Sequence, residues 1–223
     1  MVDLELETAP PTRRYDYVAD PVEIYRRSFA EVRAEADLSG LTPDAATVAV
    51  RMIHASGDLD LPATCDFHPR LVTAARGALR AGAAIFTDAY MIASGVTRRR
   101  LPADNAVHCL LADPRVPDRA RAWATTRSAA AVSFWGPELE GSVVAIGNAP
   151  TALFHLLEQI ADGGPRPAAI LGIPVGFVGS AESKIALAAN PWDIPYLVVH
   201  GRRGGSALCA SALNALAHED EIA

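Results

Sequence analysis

The chain of 223 residues has three cysteines, three methionines, a single lysine and only 6% aromatics. Cys65, Cys109 and Cys209 form no CxxC pair and are odd in number. A disulfide framework is thereby excluded, and the three read as reduced thiols of a cytoplasmic protein. No second histidine or cysteine stands at ligand spacing; Cys65 and His68 are close but without partners, so no metal site is expected. No apolar run approaches the roughly 20 residues that cross a bilayer. The opening MVDLELETAPPTRRYDYVADP lacks the apolar core of a signal peptide, so neither membrane nor secretion is expected. Twenty basic residues against 26 acidic ones give a net charge of −6, no field for gathering nucleic acid. The glycine loops lack a Walker lysine and a dinucleotide spacing, which argues against ATP and NAD. No glycine motif after the first strand is matched by an acidic residue closing the second, which argues against a SAM-dependent methyltransferase.

Half of the residues are apolar, with 16 glycines and 16 prolines, a globular composition rich in turns. Residues 1–14 read as a disordered tail and 15–223 as one domain. Asp20 before Pro21 opens a helix in which Ile24, Phe29, Val32 and Ala36 recur at helical steps. A second helix starts at Thr42–Pro43 and stops at Gly57. Then strand-like runs at 83–87, 107–111, 143–146, 168–171 and 196–199 alternate with helical stretches near 70–81, 118–133, 150–161, 181–189 and 205–217. Near-continuous apolar strands alternating with helices predict a three-layer α/β/α domain. Its sheet is mostly parallel, of about five strands and flavodoxin-like, with N-terminal helices placed before it.

Ligands of such sheets sit beyond the carboxyl ends of the strands, and there the sequence is unusual. Gly147–Asn148–Ala149–Pro150–Thr151 is either a tidy turn or a helix start with amides open to an anion. The run from Gly172 to Gly179 leads to Lys184, which is either a solvated surface group or a partner for an anion. Gly201–Arg202–Arg203–Gly204–Gly205–Ser206 offers glycines, two arginines and a helix start, or simply a polar turn. Thr87–Asp88 can bond a polar ligand, though capping the helix that follows is the plainer role. Arg127, in the polar Thr125–Ser128 interruption of an alanine-rich helix, either reaches solvent or holds a carboxylate in a cleft. His54 ends an apolar helix, where a C-cap or a buried imidazole is the common reading; only its side chain titrates near neutrality unperturbed.

Together, Tyr25–Phe29 (YRRSF), Arg33–Leu38 (RAEADL), Arg51–Gly57 (RMIHASG), Thr126–Ala130 (TRSAA), Ile146–Phe154 (IGNAPTALF), Pro174–Lys184 (PVGFVGSAESK) and Gly201–Ser206 resemble the precorrin-8X methylmutase family over about residues 15 to 217. The resemblance implies migration of a methyl group from C-11 to C-12 of a corrinoid macrocycle, converting precorrin-8X to hydrogenobyrinic acid in cobalamin biosynthesis. The substrate is flat, apolar at its centre and fringed with acetates and propionates. His54 takes the place of the family's general acid and Ser28 that of a substrate contact. Thr87, Asp88, Arg127, Asn148, Thr151, Lys184, Gly204, Gly205 and Ser206 are the expected holders of the rim. No cofactor is implied, and a homodimer with the site near its interface is. A non-catalytic corrinoid carrier is the alternative reading.

Overall fold

The computed structural model describes residues 15–220, so the expected tail over 1–14 lies outside the described residues. Asp20 caps α1 (Pro21–Glu35) by accepting the Glu23 amide at 2.8 Å. Thr42 caps α2 (Pro43–Ser56) through the Ala45 amide, and Gly57 ends that helix in the left-handed region at φ 68°. Proline at each helix start and glycine at the second helix end act as their intrinsic conformations dictate.

The remaining elements are β1 (Cys65–Phe67), α3 (Leu71–Arg80), β2 (Ile85–Thr87), α4 (Tyr90–Gly95), β3 (Val107–His108), α5 (Val116–Ala122), α6 (Arg127–Val132), β4 (Val143–Ile146), α7 (Pro150–Ala161), β5 (Ala169–Gly172), α8 (Ser180–Ala188), β6 (Tyr196–Val199) and α9 (Ser206–Ala217). The strands lie in the order β1-β6-β5-β4-β2-β3. All neighbours are parallel except β1, which pairs antiparallel with β6 through Cys65 opposite Val199. Taken in chain order, the five parallel strands run 2-1-3-4-5, the doubly wound flavodoxin-like arrangement. The sixth, β1, was not expected: Cys65–Asp66–Phe67 is a half-buried edge strand with an acid at its centre, and it forms no apolar run.

The period of two divides the core. Ile85, Val143, Ala145, Ala169, Leu171, Leu197 and Val199 face α3 and α9, whereas Phe86, Val144, Ile146, Ile170 and Val198 face α7 and α8. The expected helix over 118–133 is two helices. Thr126 turns back to accept the Ala129 amide at 3.2 Å, and Ala124 takes φ 49°, so the chain breaks between Ala122 and Arg127. Threonine competes with helix continuation in this way. Arg127 therefore starts a helix and does not sit inside one.

All of α9 from Leu208 to Ala217 is buried, because α2 covers the side turned away from the sheet. A helix enclosed all round must be apolar all round, and small residues let its neighbours approach. At Gly147 an added Cβ would fall 2.6 Å from that of Cys209. This layer seats α2 at a fixed height over the sheet, with α1 packed against α2.

The order in which the chain adds strands reverses between β2 and β4, which stay parallel. Asp88, directly after β2, is 3% exposed, and its carboxylate accepts the amides of Gly147 (3.0 Å), Asn148 (3.1 Å) and Ala149 (2.6 Å). The sequence left these amides open to a ligand, or Asp88 as the cap of the next helix. Both readings are corrected for these three amides: Asp88 holds the turn that precedes α7, sixty residues on, and α4 has no side-chain cap. Thr87 is likewise 1% exposed, and its hydroxyl donates to the His108 carbonyl at 3.0 Å, which ties β2 to β3 and turns it away from any ligand. Burial pushes the Asp88 carboxyl up to about 6, against the downward pull of its three amide donors.

Leu213→Ala, in the centre of α9, should cost about 2–5 kcal/mol in urea unfolding, as a cavity in an enclosed layer does. Folding tightens the Asp88 carboxyl's hold on its proton. The resulting stabilisation is complete below pH 3.8 and is lost as pH rises through about 6. Asp88→Asn should flatten that part of the stability–pH curve while lowering stability at pH 7, because a carboxamide cannot accept three amides.

Candidate active site

The loops after β2, β4, β5 and β6 meet at the carboxyl edge of the sheet and are tied to one another. The Gly205 amide donates to the Ile173 carbonyl at 2.9 Å and the Gly176 amide to that of Arg202 at 3.3 Å. At Gly204, with φ 154°, an added Cβ would run into the carbonyls of Ile173 and Pro174, so only glycine fits this crossing. The Gly205 amide, expected to be open to an anion, is thus engaged within the fold, and Ser206 opens α9 beside it.

Lys184 departs from both of its expected roles. It is fully buried, and its ammonium donates to the carbonyls of Gly201 (3.0 Å) and Arg203 from the first turns of α8. A cation placed among main-chain oxygens anchors the last loop. Burial lowers its pKa to about 8.

On the α7 side of the sheet, the Thr126 and Thr151 hydroxyls lie 2.8 Å apart, which sets the start of α6 beside the start of α7. Arg127 and Asn148 are exposed next to this contact. Arg202 and Arg203 project from the last loop, with the Arg202 guanidinium 5.1 Å from the centroid of the Phe177 ring.

On the α9 side, Arg203 reaches Asp58 at 3.3 Å and so joins the last loop to the end of α2. One turn before that end is His54. Its Nδ1 is 2.7 Å from the Ser28 hydroxyl on α1. The Phe29 ring meets the imidazole edge-on at 4.9 Å and the Tyr25 ring lies at 5.2 Å. Tyr25, Ser28 and Phe29 are spaced i, i+3, i+4, one face of α1. Partial burial first, and the charge of Arg51 one turn back second, hold the His54 pKa below 6.5. The imidazole is therefore mainly neutral at pH 7, and a proton placed on it is readily given up. None of four hollows of 350 to 680 Å³ around the described residues includes His54, which is half-buried on an open face.

The structure thus joins Ser28 to His54, Asp88 to Asn148, Thr151 to the Arg127 helix and Lys184 to the Gly201–Gly205 loop. The His54 and Arg127 groups stand on opposite sides of the sheet at the same edge. Sequence reasoning missed an apolar rim: Phe177 and Val178 are 83% and 89% exposed, and Val175, Tyr90 and Met91 join them. Its signal was there, since large apolar residues in glycine loops beyond strand ends have no core to enter.

A family sequence model described as Precorrin-8X methylmutase matches residues 23–219. The chain is 59% identical over 203 residues to the precorrin-8X methylmutase of a Sinorhizobium species, covering 91% of this chain and 97% of that one. It is 34% identical to the cobalt-precorrin-8 methylmutase of Priestia megaterium, over 88% of this chain and 87% of that one. The crystal structure of the Thermus thermophilus precorrin-8X methylmutase superposes with a TM-score of 0.80 at 45% identity, covering 87% of this chain and 94% of that one. With a matching fold, and with both sequence and structure shared over nearly the full length, the chain belongs to the precorrin-8X methylmutase family.

Proposed function

We propose that the chain is an isomerase of cobalamin biosynthesis that converts precorrin-8X to hydrogenobyrinic acid by moving a methyl group from C-11 to C-12. The observation that carries this reading is the match of nearly the whole chain to relatives named for that reaction. The site fits it chemically. His54 gives a proton to the conjugated macrocycle, the methyl group migrates as a 1,5-sigmatropic shift, and the proton returns to the imidazole. Nothing is gained or lost overall, so the chain needs no cofactor.

Exposed Phe177, Val178 and Met91 suit the apolar face of the ring. Arg127, Arg202 and Arg203 suit its carboxylates, with Asn148 and Thr151 beside them. A positioned acid contributes about 10²–10⁴-fold, and holding the macrocycle in a reactive geometry supplies the rest. The open face around His54 also suits a homodimer in which a second copy closes the site. Among the described residues no helix is long and apolar enough to cross a membrane, and we place the protein in the cytoplasm.

His54→Ala should lower the rate of conversion, followed by visible absorption, by about 10²–10⁴-fold. Conversion at the wild-type rate would remove His54 as the acid, and binding without any conversion by the wild type would make the protein a carrier. Because the reactive form is the imidazolium, kcat/KM should fall as pH rises through a midpoint below 6.5. The midpoint for kcat should lie higher, since bound carboxylates favour the charged ring. Arg127→Ala should weaken binding of the product by about 1.5–3 kcal/mol in calorimetry; an unchanged dissociation constant takes Arg127 out of the site.

A further inference from the structure

A serine inside a helix can turn its hydroxyl back onto its own backbone. Ser56 donates in this way to the Met52 carbonyl, Ser183 to Ser180 and Ser211 to Leu208. Ser28, in the middle of α1, does not. Its hydroxyl turns to another helix and meets His54 Nδ1 at 2.7 Å. The ring is held there between Phe29 and Tyr25 from the same face of α1, so that one nitrogen points at the serine and Nε2 points away from it.

We infer that Ser28 is a positioning residue that keeps Nδ1 engaged throughout turnover and so makes Nε2 the nitrogen that exchanges the proton with the macrocycle. In the imidazolium, Nδ1–H donates to the Ser28 oxygen while Nε2–H faces the substrate. Transfer breaks the Nε2–H bond and forms one bond from that hydrogen to the macrocycle. The ring is left neutral, with Nδ1–H still held by Ser28. When the methyl group has moved, the macrocycle returns a proton to Nε2 and the imidazolium is restored. A hydroxyl suits both halves of the cycle, because it accepts from Nδ1–H and can donate to a bare Nδ1. This role differs from the substrate contact that the family resemblance implies for Ser28, and it rests on the reading of His54 as the acid.

Among the described residues, the titratable and charged groups bearing on the ring are Tyr25 on α1 and Arg51 on α2. Neither changes in the variants that test the inference. Ser28→Ala suits a helix, whereas Ser28→Thr keeps the hydroxyl. The ¹⁵N resonances of the His54 imidazole, followed through its titration, read the hydrogen bond directly; precorrin-8X turnover reads its consequence.

Ser28→Ala removes an acceptor of the charged ring, so the His54 midpoint should move to lower pH. A ring no longer held in its reactive orientation should lower kcat by about tenfold or more with KM little changed. Ser28→Thr should restore both. An unmoved midpoint in Ser28→Ala denies the bond. A moved midpoint with undiminished kcat denies the positioning role. A threonine variant as impaired as the alanine one assigns the effect to shape. Wild-type turnover by His54→Ala would instead defeat the acid itself, an outcome separable from these because the ¹⁵N titration does not depend on catalysis.

Discussion

The carboxyl edge of the sheet splits where β2 sends the chain to one face and β4 sends it to the other, and the turn that carries β4 into α7 needs partners for its buried amides. Asp88 supplies them. One carboxylate from the end of β2 accepts the three amides of that turn and spans the crevice in which ligands of doubly wound sheets ordinarily sit. Packing links that turn to the rest of the site. Gly147 presses on Cys209 of α9, α9 carries α2, and α2 carries His54. The cost is a buried charge, visible in a carboxyl pushed up to about 6.

This internal use of the crevice constrains how an anionic ligand can be held. The Gly147, Asn148 and Ala149 amides are occupied by Asp88, the Gly205 amide by Ile173, and the ammonium of Lys184 by loop carbonyls. Backbone and buried cation shape the loops, and under the proposed function recognition of carboxylates falls to exposed arginines at their tips. Arginine suits that task, because its planar fork of donors matches a carboxylate and is weakly hydrated. A floor tied by backbone bonds with exposed charged side chains above it suits a large flat ligand that carries its charges on flexible arms.

Much of this was legible in the sequence where the signal was local. Asp20–Pro21, Thr42–Pro43 and Gly57 fix helix ends through conformations intrinsic to each residue, and the five buried parallel strands announce themselves as apolar runs. The family strings carried the fold and the relationship at once. What escaped were pairings between distant residues. Nothing near Asp88 says that its partners are Gly147 to Ala149, and nothing near Lys184 says that its ammonium turns inward to Gly201 and Arg203. The edge strand β1, with Asp66 at its centre, is no apolar run, and the break before Arg127 depended on Thr126 preferring a cap to a helix interior. The face formed by Tyr25, Ser28 and Phe29 was readable from spacing alone, but its partner His54 was not.

The proposed chemistry also bears on why the acid stands beside an arginine. A histidine destined to give away a proton gains from an environment that weakens its hold, and both partial burial and Arg51 do so. The same environment leaves the free enzyme mostly unprotonated near neutrality. A ligand fringed with carboxylates offsets this when it binds, because negative charge near the ring favours the imidazolium. Docking would then load the proton, and the shift to a protonated, delocalised macrocycle would spread positive charge away from Arg51 as the proton leaves. The repulsion that disfavours the charged imidazole before binding becomes a push towards the transition state afterwards. An arginine replaced by a neutral residue would keep the acid charged at higher pH and make it a weaker donor, so a gain in protonated fraction would be offset by a loss in each transfer.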